Sequence, residues 1–351
     1  MSTLLQDLLA EKPWLMADGA TGTNLFAAGL QTGDAPELWN EQHPDRILTF
    51  HASMADAGAD IVLTNSFGGS RHRLKLHHAQ DRVGSINATA ARLVREATSK
   101  AGRPIVVAGS IGPTGELLQP LGALTYDDAV AAFAEQAAAL AEGGVDVLWI
   151  ETMSSLDEVR AAVQGASTTG LPYCATLSFD TNGRTMMGVL PADWAKLCHE
   201  FRPMPVGYGA NCGVGAAETI AAIVNMREAA TPDMAIIAKG NCGIPYFVDG
   251  AIKYDGTPEL MAEYARLARD AGARIVGGCC GTTPMHLRAI RAALDAHEPG
   301  PAPTLDEVVA RLGQISNGAR EQGGILPPPT DGGRRRNRRR GAGAEADDAA
   351  F

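Results

Sequence analysis

The sequence predicts an α/β protein, a (β/α)8 TIM barrel followed by a disordered C-terminal tail. Three observations carry that expectation. Eight short apolar runs recur along the chain, each followed by a segment able to form a helix, which is the pattern of repeated β-then-α units. The runs are nearly continuous in Val, Ile, Leu and Ala rather than alternating, as strands covered on both faces require. The length of 351 residues suits one barrel with insertions, and a composition of 45% hydrophobic, 5% aromatic residues with 40 glycines suits an aliphatic core joined by many loops.

In chain order the strands are expected at residues 14–17, 61–64, 105–108, 147–150, 173–177, 206–209, 234–238 and 274–276. Between the second and third, residues 70–103 are long for one crossover and have room for two helices. Residues 129–142 place alanines and Phe133 on one side of a helix, and Thr125 ahead of Asp128 approximates a capping box. A second clear helix covers 258–271, and Thr283-Pro284 forms an N-cap and N1 pair for a third. The domain expectation is a barrel over 1–315 and an Arg-rich low-complexity segment over 316–351.

Net charge is −10, but from Gly318 onward seven arginines face five acids, so the tail is +2 and the body −12. An acidic body argues against a nucleic-acid-binding domain. The run Arg334-Arg335-Arg336-Asn337-Arg338-Arg339-Arg340, after Pro327-Pro328-Pro329, reads as a solvated charge block. No apolar run is long enough to span a membrane, and the N-terminus has neither a basic n-region nor a cleavage site. Six cysteines in a chain of this size do not make a disulfide scaffold, so the expectation is a cytoplasmic protein with reduced thiols.

Chemistry concentrates in Gly277-Gly278-Cys279-Cys280-Gly281-Thr282-Thr283-Pro284 and in Ala210-Asn211-Cys212-Gly213. Three thiolates from two distant loops would leave a tetrahedral zinc with one open position, the arrangement of a catalytic rather than a structural site. Adjacent residues on a strand point to opposite faces, so two vicinal cysteines need a turn to reach one ion, and the flanking glycines provide it. A plain turn of small residues and a vicinal disulfide are the alternatives. Placement favours the metal: Cys212 follows the sixth run, Cys279 and Cys280 the eighth, Asp18 the first and Glu151 the fourth. In a barrel all of these fall at the C-terminal face, where active sites lie. Seen singly, Asp18 would pass for a turn-forming Asp before Gly, and Glu151 for a strand-end acid.

These residues resemble the homocysteine S-methyltransferase family, most closely its short bacterial betaine–homocysteine members. The resemblance runs from about Asp18 to about Ala293. Its carriers are Asp18-Gly19-Ala20-Thr21-Gly22-Thr23, Thr64-Asn65-Ser66-Phe67, Gly109-Ser110-Ile111-Gly112-Pro113-Thr114-Gly115, Glu151-Thr152 and the two cysteine motifs. It implies zinc on Cys212, Cys279 and Cys280, homocysteine entering through its sulfur, and Asp18 and Glu151 holding the substrate ammonium. The product would be methionine.

For the methyl donor the resemblance implies betaine, leaving as dimethylglycine. Trp39 in Pro36-Glu37-Leu38-Trp39-Asn40 matches the tryptophan that betaine enzymes place over the quaternary ammonium. Thr152 and Gly68 stand where longer animal-type enzymes carry tyrosines, so Phe67, Tyr208, Tyr246 or Phe247 would have to complete the cage. S-methylmethionine is a rival cation. Asn241-Cys242-Gly243-Ile244-Pro245 also resembles the homocysteine module of cobalamin-dependent methionine synthase, which makes a split methyltetrahydrofolate enzyme the other alternative. Cys242 follows the seventh run, either as a resting fourth zinc ligand or, the preferred reading, as a small buried side chain. A thiol redox sensor and a protein acting through its tail are the readings outside methyl transfer.

Overall fold

The computed structural model describes residues 3–229, 231, 233–248 and 251–323. Eight parallel strands form the barrel: β1 (Leu15–Met16), β2 (Ile61–Leu63), β3 (Val106–Ile111), β4 (Val147–Met153), β5 (Tyr173–Leu177), β6 (Gly207–Cys212), β7 (Ala235–Gly240) and β10 (Ile275–Gly278). They pair in the order β1-β10-β7-β6-β5-β4-β3-β2, and a parallel bridge between Ala17 and Ile61 closes the ring. Every expected run is a strand, but β3, β4, β6 and β7 run several residues further toward the C-terminal mouth than their apolar runs suggest. Those extensions carry polar residues; the ladder follows β6 and β7 to Cys212 and Gly240, whereas the β4–β5 register shifts between Ile150 and Met153.

Two apolar layers enclose the sheet. Side chains at alternate positions, among them Val106 and Ala108, Val147 and Trp149, and Ala235 and Ile237, fill the barrel interior. The outward positions, such as Val107, Leu148 and Ile236, pack beneath the helices. The short helix Leu4–Glu11 packs Leu5, Leu8 and Leu9 into the interior cluster, plugging the barrel end opposite the mouth. Residues 70–103 do hold two helices, Arg71–Lys75 and Val83–Thr98. The hydroxyl of Thr125 accepts from the Asp128 amide, and Thr283 caps Pro284–Asp295.

Two features depart from the sequence expectation. After β7 the chain makes an antiparallel hairpin, β8 (Pro245–Val248) with β9 (Ala251–Tyr254), before the next helix. The barrel also extends past residue 315: the helix Asn317–Gln322 packs beside the helix Ala216–Met226, and the Gly318 amide donates to Asn182 Oδ1 at 2.8 Å. The boundary expected at 315/316 therefore falls inside ordered structure, while the arginine run lies outside the described residues.

Candidate active site

Strand register brings the cysteines to one level. Cys212 at the end of β6 pairs with Gly240 of β7, and Gly240 pairs with Gly278 of β10, one residue before Cys279. The Cys279 amide donates to Gly240 O at 2.8 Å and the Thr282 amide to Cys279 O at 3.1 Å, which folds the vicinal pair into a turn. A side chain at Gly278 would collide with Thr282, and Gly281 turns through φ +80° under the Tyr254 ring, so both glycines are needed for the turn. The three Sγ atoms lie within 4.8 Å of one another, with Cys212 and Cys280 3.9 Å apart. All six cysteines are free thiols in this structure.

Asn211 organises this end of the barrel. Its Oδ1 accepts from the Thr152 amide at 2.8 Å and from Thr176 Oγ1 at 2.7 Å, and its Nδ2 donates to Thr152 Oγ1 at 2.7 Å. Those bonds span β4, β5 and β6. Thr152 and Cys212, on either side of the clamp, both adopt φ of 62°, left-handed values that cost non-glycine residues energy and recur at functional sites. The three thiols share hydrogen bonds. Donation from Cys212 and Cys279 draws the Cys280 pKa far below an ordinary thiol's, and hydrogen bonds to Cys279 and then Cys280 push Cys212 well above. The Tyr254 hydroxyl on β9 adds to the stabilisation of Cys280.

The cysteines open onto a cavity of about 520 Å³ at the barrel mouth, also lined by Gly19, Ser110, Glu151, Lys239 and Tyr254. Glu151 is 8% exposed and accepts from Ser110 Oγ at 2.6 Å; burial raises its pKa to about 7, against the pull of Lys239. Asp18 is fully buried behind the cavity wall. Its Oδ1 accepts from Lys239 Nζ at 2.8 Å and its Oδ2 from the Leu63 amide at 2.8 Å. Lys239 is itself 2% exposed, and although burial opposes its charge, Asp18 and Glu151 more than offset this and raise its pKa.

Four further residues bear on the donor and the resting site. Trp39 is 5% exposed in the outer core, its ring covered by the Arg46 guanidinium at 4.9 Å and the His43 edge at 4.9 Å, and it is absent from the cavity wall. Tyr208 is buried under the helices, whereas Phe67 does line the cavity. Cys242 is 1% exposed and donates its thiol to Gly256 O at 3.3 Å; it is not part of the sulfur cluster, in line with a packed small side chain.

Sequence reasoning missed Lys239, Glu37 and Tyr254. Glu37 is buried beside the cavity and accepts from the Gly68 amide at 2.6 Å, which is why no side chain fits at 68. The signal for Lys239 was a lone charge two places beyond Ile237 on an inward register.

Fold and site together define a class: a (β/α)8 barrel with three converging thiols at its C-terminal mouth. The profile of the homocysteine S-methyltransferase family matches residues 15–294, and the chain belongs to that family. The methionine synthase of Mycobacterium tuberculosis is 31% identical over 309 residues, covering 83% of this chain and 25% of the relative. That of Mycobacterium leprae is 29% identical, covering 86% and 26%. The chain thus spans about a quarter of the length of these relatives. Among solved structures, the metallated form of the homocysteine methyltransferase MmuM from Escherichia coli superposes with a TM-score of 0.68 at 24% identity, covering 82% of this chain and 99% of that one. The oxidised form gives the same score.

Proposed function

We propose that this chain transfers a methyl group to the sulfur of L-homocysteine, giving methionine, with a zinc ion held by Cys212, Cys279 and Cys280. The observation that carries the reading is the meeting of three thiols with Glu151 and Lys239 at one cavity in a member of this family. Three soft sulfur donors from separate loops suit zinc and leave a fourth position for a ligand. Zinc bound there would favour the thiolate form of an incoming thiol near neutral pH. Glu151 takes the substrate ammonium and fixes the direction of the carbon chain, while the clamp at Asn211 holds the thiols in place. In the transfer, a sulfur lone pair forms the new S–CH3 bond as the bond from the donor breaks. The donor keeps the bonding pair, and the thiol proton passes to solvent.

For the donor we assign a methyl-cobalamin carrier, as in the split methionine synthase alternative, over free betaine. Two observations support it besides the methionine synthase relatives. Trp39 lies in the core rather than over the cavity. Around the mouth, loops that follow the strands expose Phe67, Leu117, Leu121, Met186, Val214 and Ile244, an apolar collar suited to a protein carrier. Betaine remains the second reading because Phe67 and Tyr254 offer aromatic faces to a cation at the cavity, and S-methylmethionine would use the same faces. The test supplies zinc-loaded protein and homocysteine with methylcobalamin, betaine or S-methylmethionine and follows methionine. We expect product from methylcobalamin and none from betaine, and loss of metal and product in Cys279→Ala. Product from betaine alone would replace the donor assignment, and no product from any donor would sink the function.

A further inference from the structure

Large apolar side chains left in water form a rim on one side of the barrel mouth. Met186 is 71% exposed, and Met187 beside it is also exposed, at the tip of the loop after β5. There the Gly188 amide donates to Thr185 O at 2.8 Å and closes a tight turn. Val214 after β6 and Ile244 after β7 are exposed as well. The three loops meet one after another: a Cβ at Gly213 would lie 3.5 Å from Phe179 O, and one at Gly215 would lie 4.0 Å from Ile244 Cγ1. A contiguous apolar patch of this kind marks an interaction site, which scattered single side chains do not. The last helix of the described chain, Asn317–Gln322, abuts the same loop. Gln322 Nε2 donates to Gly183 O at 2.9 Å, and the Gly318 amide to Asn182 Oδ1 at 2.8 Å. Met186 follows Gly183 by three residues, a separation of at most about 11 Å along the chain.

We infer that the segment following that helix, Ile325-Leu326-Pro327-Pro328-Pro329, covers this rim, seated on Met186, Met187, Val214 and Ile244. Ile325 comes two residues after Gly323, within reach of Met186. Ile325 and Leu326 are the only large aliphatic or aromatic residues between Gly323 and Phe351, so an apolar pair and a patch able to bury it lie at the same end of the body. A run of three prolines favours polyproline II without any partner, so docking it orders little chain. In that form the six residues from Gly324 to Pro329 reach about 19 Å. Methionines are unbranched and adapt to the shape of such a ligand. The arginine run starts at Arg334, beyond the apolar pair, and its charge is drawn to a body of net charge −12. A short tether gives an effective concentration of about 1 mM, so even a contact with a Kd of about 100 μM would be closed about nine-tenths of the time. A protein that docks on this side of the mouth has to displace the segment, which makes it an internal competitor whichever methyl donor the site uses.

Methionine oxidation of the full chain by dilute peroxide, followed site by site in a mass spectrometer, tests this with a built-in reference. Met204 is 42% exposed ahead of β6, at the end of the barrel opposite the mouth, and takes no part in the rim. With the segment seated, Met186 should oxidise more slowly than Met204 although the body leaves it more exposed. In Ile325→Ser/Leu326→Ser the Met186 rate should rise about tenfold, the factor that nine-tenths occupancy sets, while the Met204 rate stays the same. Replacing the six arginines between 334 and 340 by serine should leave Met186 protected, because the apolar pair carries the contact. Equal Met186 rates in wild type and Ile325→Ser/Leu326→Ser would overturn the inference. So would protection that fades on dilution, which gives the rim to a second copy of the chain, since a tethered segment protects at any protein concentration. Protection that survives loss of Ile325 and Leu326 but not loss of the arginines would also overturn it, in favour of a purely electrostatic association.

Discussion

Replacing Asn211 by Ala should loosen the candidate metal site while leaving all three thiols in the chain. The side chain is 1% exposed and makes three hydrogen bonds of 2.7–2.8 Å to Thr152 and Thr176. Each contributes about 1 kcal/mol net, and stranding the Thr152 amide and the two hydroxyls in a buried layer adds to that, so the loss is about 3–4 kcal/mol. Relief of the left-handed Thr152 and Cys212 would return part of it, about 1 kcal/mol per residue. Net destabilisation is then about 2 kcal/mol, a fall of roughly 3 °C in melting temperature for a chain of this length. The larger effect is on geometry. Once Cys212 relaxes to an ordinary φ, its sulfur leaves the other two, and loss of a supporting hydrogen-bond shell of this kind costs about 10- to 100-fold in metal affinity. Competition with a chromogenic chelator, read beside a melting curve, measures both. Zinc affinity within twofold of wild type in Asn211→Ala would refute the clamp.

Three further outcomes follow from where the structure places other residues. Trp39→Ala should lower stability by about 3–5 kcal/mol, as removal of a core tryptophan does, and leave the KM ratio among donors unchanged; a selective loss of betaine use with normal stability would return Trp39 to the donor site. Cys242→Ala should keep the same number of sulfur neighbours at the metal by zinc-edge X-ray absorption, and a drop from four to three would place Cys242 on the ion. Glu151, with its pKa raised to about 7 by burial, contributes stability that is fully present below its unfolded value near 4.5 and is lost as pH rises through about 7. Denaturant unfolding at pH 5.5 and 7.5 should therefore show wild type losing stability against Glu151→Gln by about 2 kcal/mol, and parallel profiles would mean that Glu151 is already ionised across the range.

The eight strands were legible because burial on both faces leaves a run of aliphatic residues whatever the surroundings. The cysteine site was legible because glycines on both sides give a vicinal pair the turn it needs, and both clusters sit where a strand ends. The hairpin was missed although its sequence signal is present, since Asp249-Gly250 lies between two runs of alternating character. The eightfold β-then-α repeat masks this shorter period, and with it Tyr254, whose ring sits over Gly281 and whose hydroxyl stabilises the Cys280 thiolate. Trp39 illustrates the opposite limit. Its neighbourhood in sequence matches a donor-binding tryptophan, but which way an indole turns depends on helix packing that brings Arg46 and His43 onto its faces.

Charge pairing is the part of the site that no local pattern encodes. Asp18 and Glu151 are equivalent in the sequence, two acids each placed at the end of a predicted strand. Register makes them different. β7 carries its inward series one step above Ile237, so Lys239 arrives beside Asp18, and the Leu63 amide from β2 takes the other oxygen. Glu151, two strands from β6, accepts from the Ser110 hydroxyl, lies in the field of Lys239 and Cys279, and keeps its face to the cavity. One acid thereby spends both oxygens inside the fold and the other keeps a face to the cavity. The distinction predicts opposite responses to substrate: bound homocysteine should protect Glu151→Gln less than wild type against thermal unfolding, while Asp18→Asn should be destabilised with and without it by the loss of an internal pair. Equal behaviour of the two variants in such a ligand-shift experiment would mean that both acids face the substrate, as the sequence alone suggests.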